Sequence, residues 1–511
     1  MSIKGGARLV AAGILLSRMF GLVRQKVMAH FLGADDAADV LASAFRIPNF
    51  LQNLFGEGVL SASFIPVYSK LLAEGKRDEA GRVAGAVATL LALTTTVLVL
   101  LGVVGASVLV DVITPGFSGA KREMAVHLVR LIFPGVGLLV LSAWCLGVLN
   151  SHRRFFLSYV SPVLWNLAMI VAMLWWGPRE TPEQLVVTAA WASVLGSLLQ
   201  FLVQVPTVLR LDRALRFAPD ASSPLVRTVA KRFGTVVVGR GVVQVSGFVD
   251  TAIASLVGVG SVATLNYAQA LSMLPVSLFG MSISAAELPA MSGEVGTADE
   301  VASALRTRLD RGLGRIAYFV IPSAAAFLLL GGEIASGLYQ GGAFTAESAQ
   351  WVWAALAGAA VGLLAGTMGR LYSSASYALG DTTSPLRYAL VRVSFGAVVG
   401  WASALLLPGL LGVDARWGIA ALTASSGVAA WIEFLLLRGA VTRRVGATGV
   451  PVVRIAALWL CALLPAAAAF ALSRQLPTWT AWLRAGAVLS LFGVGYLLLT
   501  RLARLDDARR T

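Results

Sequence analysis

Residues 9–33 read LVAAGILLSRMFGLVRQKVMAHFLG. At 1.5 Å rise per residue, such an apolar run is long enough to cross the roughly 30 Å hydrocarbon core of a bilayer. It also carries Arg18, Arg24 and Lys26, each costing roughly 2.5–3.5 kcal/mol at the centre of an inserted helix. Exposure of all three to lipid is therefore excluded on cost. At 100° per residue Ser17, Gly21, Arg24 and Met28 share one helical face, with Arg18 a quarter-turn away. Lys26 lies near the end of the run, where snorkelling suffices. For Arg24 two readings stand: a water-filled cavity, or a structural ion pair. The arginines interrupt the apolar stretch and no small-residue cleavage pattern follows, so a cleavable signal peptide is not expected.

The same reading extends over the chain. Of 511 residues, 57% are hydrophobic and 13% charged, with a mean hydropathy of +0.79. A soluble domain carries about 25% charged residues, so a soluble multidomain enzyme is excluded. Apolar segments recur from roughly 7–31, 40–69 and 84–113 through to 452–473 and 480–502. The expectation is an all-α polytopic membrane protein of about 14 transmembrane helices. No GxxxxGK[ST] phosphate loop is present, and Gly239-Arg240-Gly241 lacks the third glycine of a dinucleotide fingerprint. Cys145 and Cys461, with His30, His127 and His152, supply no disulfide framework and no Cys/His metal cluster.

The net charge of +15 would suggest nucleic acid in a soluble protein, but here most basic residues fall in alternate connections. One set holds Lys70, Lys76, Arg77 and Arg82, then Arg153 and Arg154, and later Arg306, Arg308, Arg311 and Arg315. By the positive-inside rule both termini are cytoplasmic, nucleic acid is not a partner, and membrane lipids are.

An internal repeat runs at a spacing of about 223 residues. Leu54-Phe55-Gly56 and Phe64-Ile65-Pro66 are echoed by Leu278-Phe279-Gly280 and Glu287-Leu288-Pro289, and Ser161-Pro162 by Ser384-Pro385. Six spans per repeat give two parallel lobes around a central cavity, plus two C-terminal helices. The expected divisions are 1–220, 221–445 and 446–511.

Polar residues concentrate in corresponding spans of the two lobes. Span two carries Arg46, Asn49, Asn53 and Glu57, with Pro48 and Gly56-Glu57-Gly58 as break points. Arg46 either faces a cavity or pairs with a neighbouring acid, and Asp39 is a functional acid or a helix cap. Span seven aligns Arg240, Gln244, Gly247 and Thr251, with Asp250 adjacent as a cation, proton or ion-pair site. Asp381 lies in the turn Gly380-Asp381-Thr382. Arginines lining a cavity suit an anion, phosphate above all, because guanidinium forks bind its oxygens bidentately. Outward movement of such an anion is assisted by an inside-negative potential, by about 2.3 kcal/mol per charge per 100 mV. This is transport chemistry, with no ATP hydrolysis and no enzyme active site.

Ser17-Arg18-x-x-Gly21-x-x-Arg24, Asp39, Ala44-Phe45-Arg46-Ile47-Pro48-Asn49 and Phe55-Gly56-Glu57-Gly58 resemble the signature of the MurJ (MviN) family. So do Phe64-Ile65-Pro66-Val67, the Val-Asp-x-x-x-Ala-Ser context of Asp250, and Tyr377-Ala378-Leu379-Gly380-Asp381-Thr382. The resemblance implies a MOP-superfamily fold in the bacterial cytoplasmic (inner) membrane. It implies flipping of the undecaprenyl-diphosphate-linked peptidoglycan precursor lipid II to the periplasmic leaflet by alternating access. Arg18, Arg24, Asp39, Arg46 and Glu57 match the motif, with Arg24 on the substrate pyrophosphate. Asp250 and Asp381 match positions tied in some members to a sodium site, so sodium or the membrane potential is the expected driving force; no other cofactor is implied. Gln25, Gln52, Asn53 and Ala270 depart from the family's charged residues, and Arg240 or Arg18 is the expected compensation. A flippase for another polyprenyl-diphosphate-linked glycan, and a non-transporting membrane scaffold, are the alternatives.

Overall fold

Helices follow the apolar runs, and the ends of several are written in local sequence. Thr181-Pro182-x-Gln184 and Thr297-x-x-Glu300 form capping boxes, each threonine accepting from the third-residue amide and each Gln or Glu side chain returning to the threonine N–H. The structure is a computed structural model that describes residues 3–220, 223–294 and 296–505; the side chains at 3–12, 48, 57, 238–240, 242, 243 and 298 are outside the described set. Contacts divide the chain into two units, 1–248 and 249–511.

In the first unit the elements are α1 (Ile3–Leu32), α2 (Asp36–Phe55), α3 (Glu57–Ser63), α4 (Ile65–Ala73), α5 (Arg77–Val104) and α6 (Ala106–Ile113). They continue as α7 (Gly119–Ser151), α8 (Phe155–Val160), α9 (Pro162–Trp176), α10 (Pro182–Leu211) and α11 (Pro224–Val257), within which the division falls. Val226 and Val229 of α11 are buried in the same core as Tyr68, Val87, Trp144 and Val148. The compact unit therefore runs past residue 220, the limit expected from the repeat. Polar glue holds the helices inside this core: Gln204 donates to the Ser142 and Ser161 hydroxyls at 2.7 and 2.9 Å. Tyr68 donates to Asp212 at 2.8 Å and sits 3.0 Å from His152 Nε2, tying α4 to the ends of α10 and α7.

The second unit holds α12 (Ser261–Pro275), a π-helical turn (Val276–Met281), α13 (Ser282–Ser292), α14 (Ala298–Tyr339) and α15 (Ala346–Ala378). It ends with α16 (Thr383–Leu411), α17 (Gly418–Val445), α18 (Val452–Gln475) and α19 (Ala481–Leu502). α15 and α17 approach backbone to backbone: a Cβ on Gly362 would lie 2.3 Å from the Gly427 Cα. Small residues serve this purpose in membranes, where helix association rests on close van der Waals packing. The final helix docks on α14 through the Arg484–Glu333 pair at 2.8 Å and through Ala485, seated against Gly337.

The duplicated Leu-Phe-Gly marks a departure from regular α-helix in both units. Gly56 separates α2 from α3, and a Cβ there would strike the Gln52 carbonyl oxygen at 2.1 Å. Gly280 lies in the π-helical turn, where a Cβ would strike Thr367 at 2.4 Å. Among the described residues, eleven helical segments are long and apolar enough to cross a membrane. The other three expected spans are helical too, as α1, α2–α4 and α11. They are the spans that carry Arg18, Arg24, Arg46, Arg240 and Asp250.

Candidate functional site

Arg24 is set by the packing of α1 on α8 and α9. Gly13 permits the approach, since a Cβ there would meet the Tyr159 Cβ at 2.6 Å, and Gly21 faces Asn166. The Arg24 guanidinium then lies 4.6 Å from the Trp165 ring centroid and 3.8 Å from the Met169 sulfur. Its Nε is buried and has no acceptor. Stacking on an indole satisfies part of the charge, but among the described residues no acid neutralises it. Of the two readings of Arg24, the structural ion pair is thus absent, and what stands on α1 is a positioned guanidinium with unused donors. Arg18, on the same helix, is exposed.

Asp39 has the opposite character. It is fully buried and accepts from Lys121 Nζ at 2.7 Å, while the same ammonium reaches Asp36 at 2.6 Å and stands 4.3 Å from the Phe117 ring centroid. The N-cap of α2 is Asp35, so Asp39 is no cap; its pairing fastens α2 to the start of α7. Removing one partner of a buried pair leaves an uncompensated charge, at a cost of about 3–5 kcal/mol. Lys121→Met is accordingly expected to destabilise the protein by about 3 kcal/mol, and Asp39→Asn with Lys121→Met by clearly less. Thermal unfolding of the two variants and the parent measures this, and equal losses would deny the coupling.

Arg46 donates from Nη2 to the Gly247 carbonyl of α11 at 2.8 Å. A backbone oxygen of α11 is thus one partner of Arg46. Gly247 also leaves room for the guanidinium, because a Cβ there would sit 3.4 Å from that nitrogen. Glu57 begins α3 just after the Gly56 break and Arg240 lies in the middle of α11, but both side chains fall outside the described residues.

In the second unit Asp250 accepts from Ser426 of α17 at 3.3 Å. Asp381 caps α16: it accepts from the Ser384 amide and hydroxyl at 2.9 and 2.7 Å, from Thr383, and from Arg444 at 3.2 Å. These donors, the Ser384 amide first, hold its carboxyl down at about 2, so it stays ionised throughout the neutral range. Ser426 and Arg444 are 18 residues apart on α17, which is about 27 Å of helix. The two acids therefore stand at different levels and do not converge on one cation. No cluster of three or more His, Cys, Asp or Glu residues with metal-binding geometry occurs among the described residues.

Several contributors lay outside the sequence expectation. Lys121 and Trp165 sit far along the chain from the residues they serve, and no spacing rule joins them. Arg370, Arg392 and Glu433 lie inside spans of the second unit, where Arg392 Nη1 meets Glu433 at 3.1 Å; a search of each span for single ionisable residues finds them. An apolar cavity of about 290 Å³ is lined by Leu271, Pro275, Phe279, Phe327 and Phe492.

Two multi-helix units, a Leu-Phe-Gly helix irregularity repeated in each, and ionisable groups held inside apolar spans define a multi-pass membrane transporter rather than an enzyme. The fold matches that of an inward-facing MATE multidrug transporter of the MOP superfamily, with a TM-score of 0.64 and 17% identity over 84% of this chain and 95% of that one. It matches the lipid II flippase MurJ in an inward closed conformation at a TM-score of 0.78, with 21% identity over 98% and 99%. The family model described as lipid II flippase MurJ covers residues 28–490, and the chain belongs to that family. Curated relatives include the lipid II flippase MurJ of Burkholderia cenocepacia, 32% identical over 84% of this chain and 81% of the relative. A probable lipid II flippase MurJ of Vibrio cholerae is 28% identical over 98% and 96%.

Proposed function

We propose that this protein translocates lipid II from the cytoplasmic to the periplasmic leaflet of the bacterial inner membrane, with both termini cytoplasmic. Family membership supports the substrate, and the Arg24 guanidinium, stacked on Trp165 without a neutralising acid, is the observation that carries the chemistry. Its free donors suit the diphosphate, because charge-assisted bonds to phosphate oxygens are the strong class of hydrogen bond. The apolar cavity beside α12 and α19 suits part of a polyprenyl chain. Rescue of a flippase-depleted bacterium, scored by surface exposure of lipid II, tests the assignment. A stably inserted protein that gives no rescue would remove lipid II in favour of another polyprenyl-diphosphate-linked glycan or a scaffold role.

Asp250 is the residue we assign to a coupling cation, on the strength of its place within a span beside Ser426. Replacing sodium by choline is expected to slow transport by the wild type, and Asp250→Asn to erase the difference. A wild type indifferent to sodium leaves the membrane potential as the driving force and takes Asp250 out of the coupling.

A further inference from the structure

Arg370 lies on α15 eight residues before the helix ends at Ala378, about 12 Å inside that end. It is exposed and makes no hydrogen bond or ion pair to another described residue. α15 and α17 are close here, since Gly369 faces Phe434 and Gly366 faces Ala430. Their long side chains emerge from one tight seam. Arg370 and Glu433 adjoin Gly369 and Phe434, which face each other across this seam, and Glu433 holds Arg392 at 3.1 Å. The Arg392 and Glu433 side chains are 39% and 15% exposed, and Tyr377, two helical turns beyond Arg370 on the same face, is 48% exposed. The acid is thus the sheltered member and the cationic donors are the open ones.

Arg392 takes the one carboxylate and Arg370 has none of its own, so a positive charge is left over inside a membrane span, where each basic residue costs roughly 2.5–3.5 kcal/mol. Snorkelling would draw Arg370 toward the helix end. The Arg392–Glu433 pair instead lies deep, Glu433 being twelve residues inside the end of α17 at Val445, about 18 Å along the helix. Charged groups held at such depth normally mark a substrate or ion path. Arg392 spends one nitrogen on Glu433, and Arg370 has its whole fork free. That donor set fits a planar or tetrahedral oxyanion.

We infer that Arg370, flanked by the Arg392–Glu433 pair, forms an anion-binding site within the second unit for an oxyanion of the translocated headgroup, phosphate or carboxylate. This rests on the lipid II reading and adds a contact separate from Arg24. Glu433 orients Arg392 and sets the local charge. Tyr377 supplies a neutral donor at the rim.

The test is equilibrium binding to the full-length protein in nanodiscs, with three probes: lipid II, undecaprenyl diphosphate, and lipid II with its peptide carboxylates amidated. Arg370→Gln is expected to weaken lipid II binding about tenfold, which corresponds to about 1.4 kcal/mol, and Arg370→Lys to recover part of the loss. Glu433→Gln removes the competing acid and is expected to tighten binding; damage to the fold would weaken it. If undecaprenyl diphosphate is also bound less well by Arg370→Gln, the site reads phosphate. If the loss is confined to lipid II with free carboxylates, it reads the peptide. Unchanged lipid II affinity in Arg370→Gln, or weakening by Glu433→Gln equal to that of Arg370→Gln, overturns the site. A wild type that does not retain lipid II overturns the substrate assignment instead.

Discussion

Arg24→Ala is expected to abolish lipid II translocation while leaving the protein folded in the membrane. The two effects separate because the guanidinium makes no ion pair. Its removal exposes no buried carboxylate and forfeits only the contact with Trp165 and Met169, worth about 0.5–2 kcal/mol. A fork of two charge-assisted bonds to a diphosphate is worth roughly 1.5–3 kcal/mol per bond. Its loss lowers transport about 10²–10⁴-fold, which a flipping assay reads as no activity. Arg24→Lys keeps the charge and loses the fork, so it should fall between the two. Trp165→Phe keeps a weaker π-face behind the guanidinium and should reduce transport only slightly. Reconstituted vesicles containing labelled lipid II distinguish these outcomes, and full flipping by Arg24→Ala would take this residue out of the mechanism.

Gly362→Leu is expected to prevent accumulation of folded protein. The added Cβ would meet the Gly427 Cα at 2.3 Å and its carbonyl oxygen at 3.0 Å. Neither is the end of a flexible side chain, so only a shift of α15 against α17 relieves the collision. Overpacking by side chains costs about 1–3 kcal/mol, and separating two backbones forfeits more, because every contact along the seam weakens with distance. Gly358 lies one turn away, with its Cβ position 2.1 Å from the Thr423 hydroxyl, so the seam cannot yield locally. Thermal unfolding followed by a thiol-reactive dye suits the measurement, since Cys145 and Cys461 are both buried. A Gly362→Leu protein that melts with the wild type would show that the two helices sit further apart.

Much of this was legible before any coordinates. The apolar runs, the alternation of basic connections and the doubled Leu-Phe-Gly announced the helices and their duplication; the structure added that Gly56 breaks its helix outright whereas Gly280 is absorbed in a π-helical turn. Arg24 was singled out by cost alone, since a guanidinium in an apolar run needs a reason. Its neighbour Trp165 was not legible, because one aromatic among many in apolar spans carries no mark of what it touches. By sequence Asp39 is a functional acid or a cap, and only the fold places Lys121 upon it. Asp250 and Asp381 looked like a pair by motif, but α17 holds their partners about five turns of helix apart. Arg370, Arg392 and Glu433 were in plain view, one to a span; single charges attract less notice than clusters.

The shelter over Arg24 also bears on how the chain is made. Trp165 is synthesised about 140 residues after Arg24, an interval of roughly 7–28 s at 5–20 residues per second. During it the nascent first helix holds Arg18, Arg24 and Lys26 with α9 not yet present. Leu, Ile, Phe and Val repay only about 0.3–0.6 kcal/mol each against roughly 2.5–3.5 each for Arg18 and Arg24, so this helix is marginal in the bilayer by itself. Its final seating is a late step of biogenesis, waiting on a helix that leaves the ribosome long after it.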